Sequence, residues 1–160
     1  MARAELKVSD NGYRQLLENI KAAKAQTVIR AGIFQGPPRP EAEADGLSNA
    51  EIGAIHEFGL GHVPERSFIR GTVDANRSEI NARLKAVAGG IFKARDEIKR
   101  GAALFGEWFV GKMKMRIRDG IAPALKQETI DRKHSSTPLI DHGELLGSLT
   151  YDVKQGGGAE

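Results

Sequence analysis

Residues 48–74 read SNAEIGAIHEFGLGHVPERSFIRGTVD, and the reading of this stretch decides the fold. Ser48 followed by Glu51 is a capping-box pair, so a helix begins there. Ile52 and Ile55 supply one apolar stripe, and Ile55 and Phe58 are expected to pack inward. Gly59 and Gly61 end the helix, because glycine takes the left-handed conformation that closes helices. Pro64 disfavours helix at Val63 and holds the chain extended. Ser67 then caps a second helix that opens with Phe68 and Ile69. The stretch is a helix, a glycine turn, a proline-fixed elbow and a helix start.

Upstream, Ala4–Val8 alternates as a short strand. Asp10 is a candidate N-cap for an amphipathic helix over residues 11–24, with Tyr13, Leu16, Leu17 and Ile20 inward. Thr27–Phe34 is β-branched and apolar and is the strongest strand signal in the chain. These two strands flank one helix, which suggests a small sheet with the helix packed on it; the pattern leaves parallel and antiparallel pairing open. Residues 35–47, with three prolines and three acidic residues, read as an exposed mobile loop and a candidate contact arm.

Downstream of Ser67, Ile69, Val73, Ile80, Leu84, Val87 and Ile91 follow helical spacing up to the weak point at Gly89-Gly90. A second long helix spans Lys93–Arg118. Its stripe is Ile98, Ala102, Phe105, Phe109, Met113 and Ile117, widened by Leu104 and Trp108. Gly101, Gly106 and Gly111 weaken it by about 1 kcal/mol each, so close packing is expected on that face. Gly120 stops it. A short helix over Lys126–Lys133 follows, then an exposed polar run. Asp141 with Glu144 forms a second capping-box-like pair, and Leu149–Lys154 alternates as a half-buried strand. Residues 155–160 are a glycine-rich tail.

At 160 residues one domain is the simplest reading, with a core large enough to need no staples. The chain has no cysteine, hence no disulfide and no thiolate chemistry. No apolar run is long enough to span a membrane, and Met1–Asp10 lacks the apolar core of a secretory signal. The net charge of +3 permits contact with nucleic acid without arguing for it.

The candidate chemistries are thin. His56-Glu57 evokes a zinc protease helix, but the position four residues after His56 is Leu60, and His62 lies beyond the glycines. Gly59-x-Gly61 is too short for a dinucleotide loop. No G-x-S-x-G occurs, and the four histidines share no spacing. His56 or Glu57 is expected to hydrogen-bond the elbow or to meet a neighbouring subunit. Arg66 and Arg70 can hold Glu57, Glu65 or Asp74 within the chain, or carboxylates across an interface. Lys112, Lys114, Arg116 and Arg118 spread over about 200° of a helix as a broad basic face, either solvated or facing DNA or an acidic partner.

The segments AEIGAIHEFG and VPERSFIRGTVDAN, with DGIAPALKQETIDRK and TPLIDHGELLGSLTYDV after them, resemble the tail-completion or head–tail joining proteins of tailed bacteriophages. The likeness runs from about Thr27 to Val153. Its motif core is His56, Glu57, Phe58, Pro64, Arg66, Phe68 and Arg70, with a C-terminal counterpart in Pro138, Leu139, Asp141, Gly143, Leu146 and Tyr151. The chain departs from the family pattern at Gly61-His62, at His142 in place of threonine, and in the length of the 35–47 loop.

The resemblance implies an α+β fold: a small, mostly antiparallel sheet packed against an N-terminal helix and the long helices of the C-terminal half. It implies a virion neck subunit assembled in the host cytoplasm, without enzymatic activity, cofactor, metal, membrane or small-molecule substrate. Its partners would be its own copies in a hexameric or dodecameric ring, the tail-tube or tail-terminator proteins, the head–tail connector or adaptor proteins, and DNA in the lumen. Subunit contact falls to the motif residues, and partner or DNA contact to the basic residues 112–118. A nucleic-acid-binding regulator using that basic face is the alternative.

Overall fold

A computed structural model describes residues 12–24, 27–36, 46–89, 95–133, 139 and 143–155. The elements run α1 (Tyr13–Lys24), β1 (Thr27–Ile33), α2 (Asn49–Phe58), α3 (Arg70–Ala75), α4 (Arg77–Gly89), α5 (Arg95–Arg118), α6 (Gln127–Lys133), α7 (Glu144–Ser148) and β2 (Leu149–Gln155). The fold is α+β, a small antiparallel sheet packed with helices, as expected. No helix among the described residues is long and apolar enough to cross a membrane.

β1 pairs with β2 in antiparallel register, from Thr27 opposite Gln155 to Ile33 opposite Leu149. The first and last described strands of the chain therefore form one ribbon, tied on its outer side by Arg30 and Asp152. The strand expected at Ala4–Val8 lies outside the described residues, as does most of the loop over 35–47.

A two-stranded ribbon has too little apolar face to stand alone. α5 supplies the missing surface by lying against both strands. Its expected stripe faces inward: Ile98, Ala102, Phe109, Met113 and Ile117 are buried, joined by Val110. Phe68, Leu139, Leu145 and Leu149 close the same core. Leu104, read as widening the stripe, instead points to solvent and is 57% exposed.

The α5 glycines divide. A Cβ at Gly106 would stand 2.4 Å from Cδ2 of Tyr151, so only glycine lets β2 approach the helix there. At Gly101 it would stand 3.3 Å from Val87, where α4 crosses. Gly111 has nothing within 4 Å, so the close packing expected of it is absent.

The helix expected to run on from Ser67 is broken at Asn76. The Asn76 side-chain amide donates to the Thr72 carbonyl, and α4 starts anew at Arg77. α4 has no buried residue, and Leu84 and Val73 of the expected stripe are exposed. Val87 rests on α5, and charged arms add a second hold. Arg83 lies over the Trp108 ring at 4.4 Å and bonds Glu79, which Lys112 also reaches at 3.3 Å.

Candidate functional site

The Ser48–Asp74 stretch folds into a corner between α2 and α3. Ser48 and Glu51 form the reciprocal capping box that starts α2. Gly59, at φ 65°, ends it. A Cβ there would lie 2.8 Å from the Glu65 backbone nitrogen, so the returning elbow passes directly over the turn. The Arg66 amide donates to the His56 carbonyl at 2.7 Å and pins the elbow to the last turn of α2.

Glu57 is the hub. Its side chain is 4% exposed. Oε2 accepts from the amides of Phe68 and Ile69, each at 2.8 Å. Oε1 accepts from the Arg70 amide at 2.9 Å, from the Ser67 hydroxyl at 2.7 Å and from Arg70 Nε at 3.1 Å. These amides are the donors that the start of α3 leaves without helical partners. A carboxylate from the last turn of α2 thus caps α3, and Ser67 serves as its relay, donating to Glu57 and accepting from Gly71. Burial alone would push the Glu57 carboxyl up. The Ile69 and Arg70 amides, with Ser67 and the Arg70 guanidinium, outweigh it and hold the group below its ordinary value.

Arg70 also reaches the Glu57 carbonyl and the Glu65 carboxylate, and its guanidinium lies 4.8 Å from the centroid of the Phe58 ring. The expected pairing of Arg70 with Glu57 and Glu65 is therefore present. Arg66 behaves differently from expectation. It meets none of Glu57, Glu65 or Asp74; its Nε and Nη2 donate to the Pro123 carbonyl at 3.1 and 2.8 Å. Arg66 is 4% exposed, and burial draws its guanidinium below the ordinary arginine value. An arginine buried in its own chain is a poor interface group.

Phe58 is the second correction. Glu57 takes the inward position and Phe58 is 56% exposed, beside Leu60 at 51%. Pro64 is exposed and Phe68 fully buried in the core. Of the C-terminal counterpart, Pro138 and Asp141 lie outside the described residues. Gly143, at φ 81°, stands as the N-cap of α7, and the Asp141 of the expected Asp141–Glu144 box lies outside the described residues. Leu139 is buried at φ 66°, and Tyr151 packs on Gly106.

The basic face is not one face. Lys112 faces Glu79 and Trp108. Arg116 donates to the Ser67 carbonyl at 3.0 Å and lies where a Gly71 Cβ would be. Lys114 and Arg118 are turned about 200° away on the helix. Half of the expected patch is thus spent on internal contacts. Sequence reasoning missed Pro123, whose carbonyl receives Arg66, and the Gly106–Tyr151 contact; both join residues too distant in the chain for any local pattern to link.

Among the described residues no group of three or more histidine, aspartate or glutamate side chains could hold a metal ion. His62 is exposed on the turn, while His56 lies in the helix before it. The arrangement stores charge in backbone capping. No family model, curated protein or solved structure matched the chain.

Proposed function

We propose that the chain is a structural subunit of a tailed-phage neck, repeated as a ring that completes the tail and joins it to the head around the passage for DNA. The proposal rests on the family resemblance of the motifs. One structural observation supports it: the donors around Glu57 are backbone amides and side chains of its own corner. The polar residues on which the resemblance turns serve to fix the angle between two helices. An arrangement of that kind is suited to scaffolding.

The regulator reading is weaker, because Lys112 and Arg116 are engaged within the chain. A duplex-binding protein would offer them to phosphate and would bind with steep salt dependence.

Particles assembled with and without this chain, imaged by electron microscopy, test the proposal. Unjoined heads and tails in its absence support it. Complete particles without the polypeptide contradict it.

A further inference from the structure

Glu79, Arg83 and Val87 stand at every fourth residue of α4 and form the line that it turns toward α5. Lys112, Trp108 and Gly101 meet that line in antiparallel order. Lys112 reaches Glu79 at 3.3 Å, Arg83 lies 4.4 Å from the centroid of the Trp108 ring, and Val87 comes within 3.3 Å of the place a Gly101 Cβ would take. Arg83 Nη2 also donates to Glu79 at 2.9 Å, and Lys112 Nζ lies 5.6 Å from the same ring centroid. One carboxylate and two cations thus surround one indole.

The apolar share of this seam is small. α4 has no buried residue, and Leu84 faces outward at 40% exposure. Ile80 rests its first turn on the core, and Val87 touches α5 in the last. Around Val87 the two helices part over a groove of about 530 Å³ that Gly101, Leu104 and Phe105 line from the α5 side. Upstream, the break at Asn76 deprives α4 of helical continuity with α3. A helix of 13 residues is marginal by itself in water. The helical state of α4 therefore depends on the seam, and the seam depends on charge.

We infer that α4 is a releasable strap. An ionic clasp of Glu79, Arg83 and Lys112 holds it over Trp108, and rising ionic strength lifts it from α5 while the core between α5 and the sheet stays folded. The two parts answer to different forces. Phe68, Met113 and Ile117 are fully buried, and apolar contact of that kind is indifferent to charge screening. The clasp residues are partly exposed, and both an ion pair and an arginine over an aromatic ring are electrostatic attractions. At about 1 M salt such attractions are screened beyond about 3 Å. Lifting the strap bares the Trp108 ring and the Gly101 surface of α5, as the least stable unit of a fold opens ahead of the rest. The strap does not depend on the neck reading.

Hydrogen exchange of the full chain, at low salt and in about 1 M sodium chloride, tests it. Amides of residues 81–89 should lose about tenfold in protection, while those of residues 105–117 keep theirs. Trp108 is the only tryptophan of the chain, and over the same range its fluorescence should become more open to acrylamide, a neutral quencher. Arg83→Gln and Lys112→Gln each remove part of the clasp from a partly exposed position, so the fold should hold. Each should speed exchange in α4 at low salt and flatten its response to added salt. Arg77→Gln removes a pair with Asp74, which sits on α3, and its salt response should match the parent. Protection of α4 that ignores salt, or α4 and α5 losing protection together, would overturn the strap. So would an Arg77→Gln variant that behaves as Arg83→Gln does.

Discussion

The amide of Phe68 donates at 2.8 Å to the carboxylate of Glu57, eleven residues earlier in the chain. Phe68 is fully buried in the core, so this bond joins the centre of the hydrophobic cluster to the end of α2. One carboxylate fixes where α3 begins and how Phe68 enters the core. Glu57→Gln keeps the size but sets an N–H against backbone N–H groups. It should destabilise the fold by about 2–4 kcal/mol, read from urea denaturation. Hydrogen exchange at Phe68, Ile69 and Arg70 should be slow in the parent and accelerated in the variant.

The Glu57 carboxyl is held below its ordinary value of 4.5. A depressed folded-state value means that the unfolded chain takes up the proton first as pH falls. Its contribution is complete above pH 4.5 and is lost as pH drops through the folded value. Glu51, bonded by Ser48, and Glu79, bonded by Arg83, are shifted in the same direction. The stability gap between parent and Glu57→Gln should be constant near neutral pH and should close below pH 4.5. A gap independent of pH would show that the carboxylate charge is not what holds the corner.

Arg66 and Arg70 stand four apart and should respond to very different extents. Arg66 is buried against the Pro123 carbonyl, so Arg66→Glu puts an acceptor against an acceptor and should prevent folding. Arg66→Ala should cost about 2–3 kcal/mol. Arg70 is half exposed, and Arg70→Ala should cost about 1 kcal/mol or less, because solvent screens its ion pairs. Thermal unfolding of the three variants checks the order.

Two glycines on α5 provide a matched pair. Gly106→Ala forces a methyl into the Tyr151 ring and should destabilise by about 1–3 kcal/mol. Gly111→Ala meets nothing within 4 Å and should stabilise by up to about 1 kcal/mol through helix propensity. Urea midpoints measure both.

Local patterns in the sequence were sufficient for the capping box at Ser48, the left-handed stop at Gly59, the inward stripe of α5 and the alternation of β2. Each is set by residues within a turn or two of one another. The partner of β1 was not legible, since Arg30 and Asp152 stand 122 positions apart. Glu57 bonds the elbow as the sequence leads one to expect, but Phe58 stands outward where the pattern puts it inward, and the reason is physical. An aromatic residue is normally the inward one, but the bare amides of α3 give a buried carboxylate more to bind than the core gives the ring. Arg66 was misassigned because its acceptor is a main-chain carbonyl, which no side-chain pattern announces.

The central claim is that the Glu57 corner is architecture for repeating this chain around an axis. Single-particle electron microscopy of the purified protein tests it most directly. The account predicts closed rings of identical copies. A protein that remains monomeric at every concentration would contradict it.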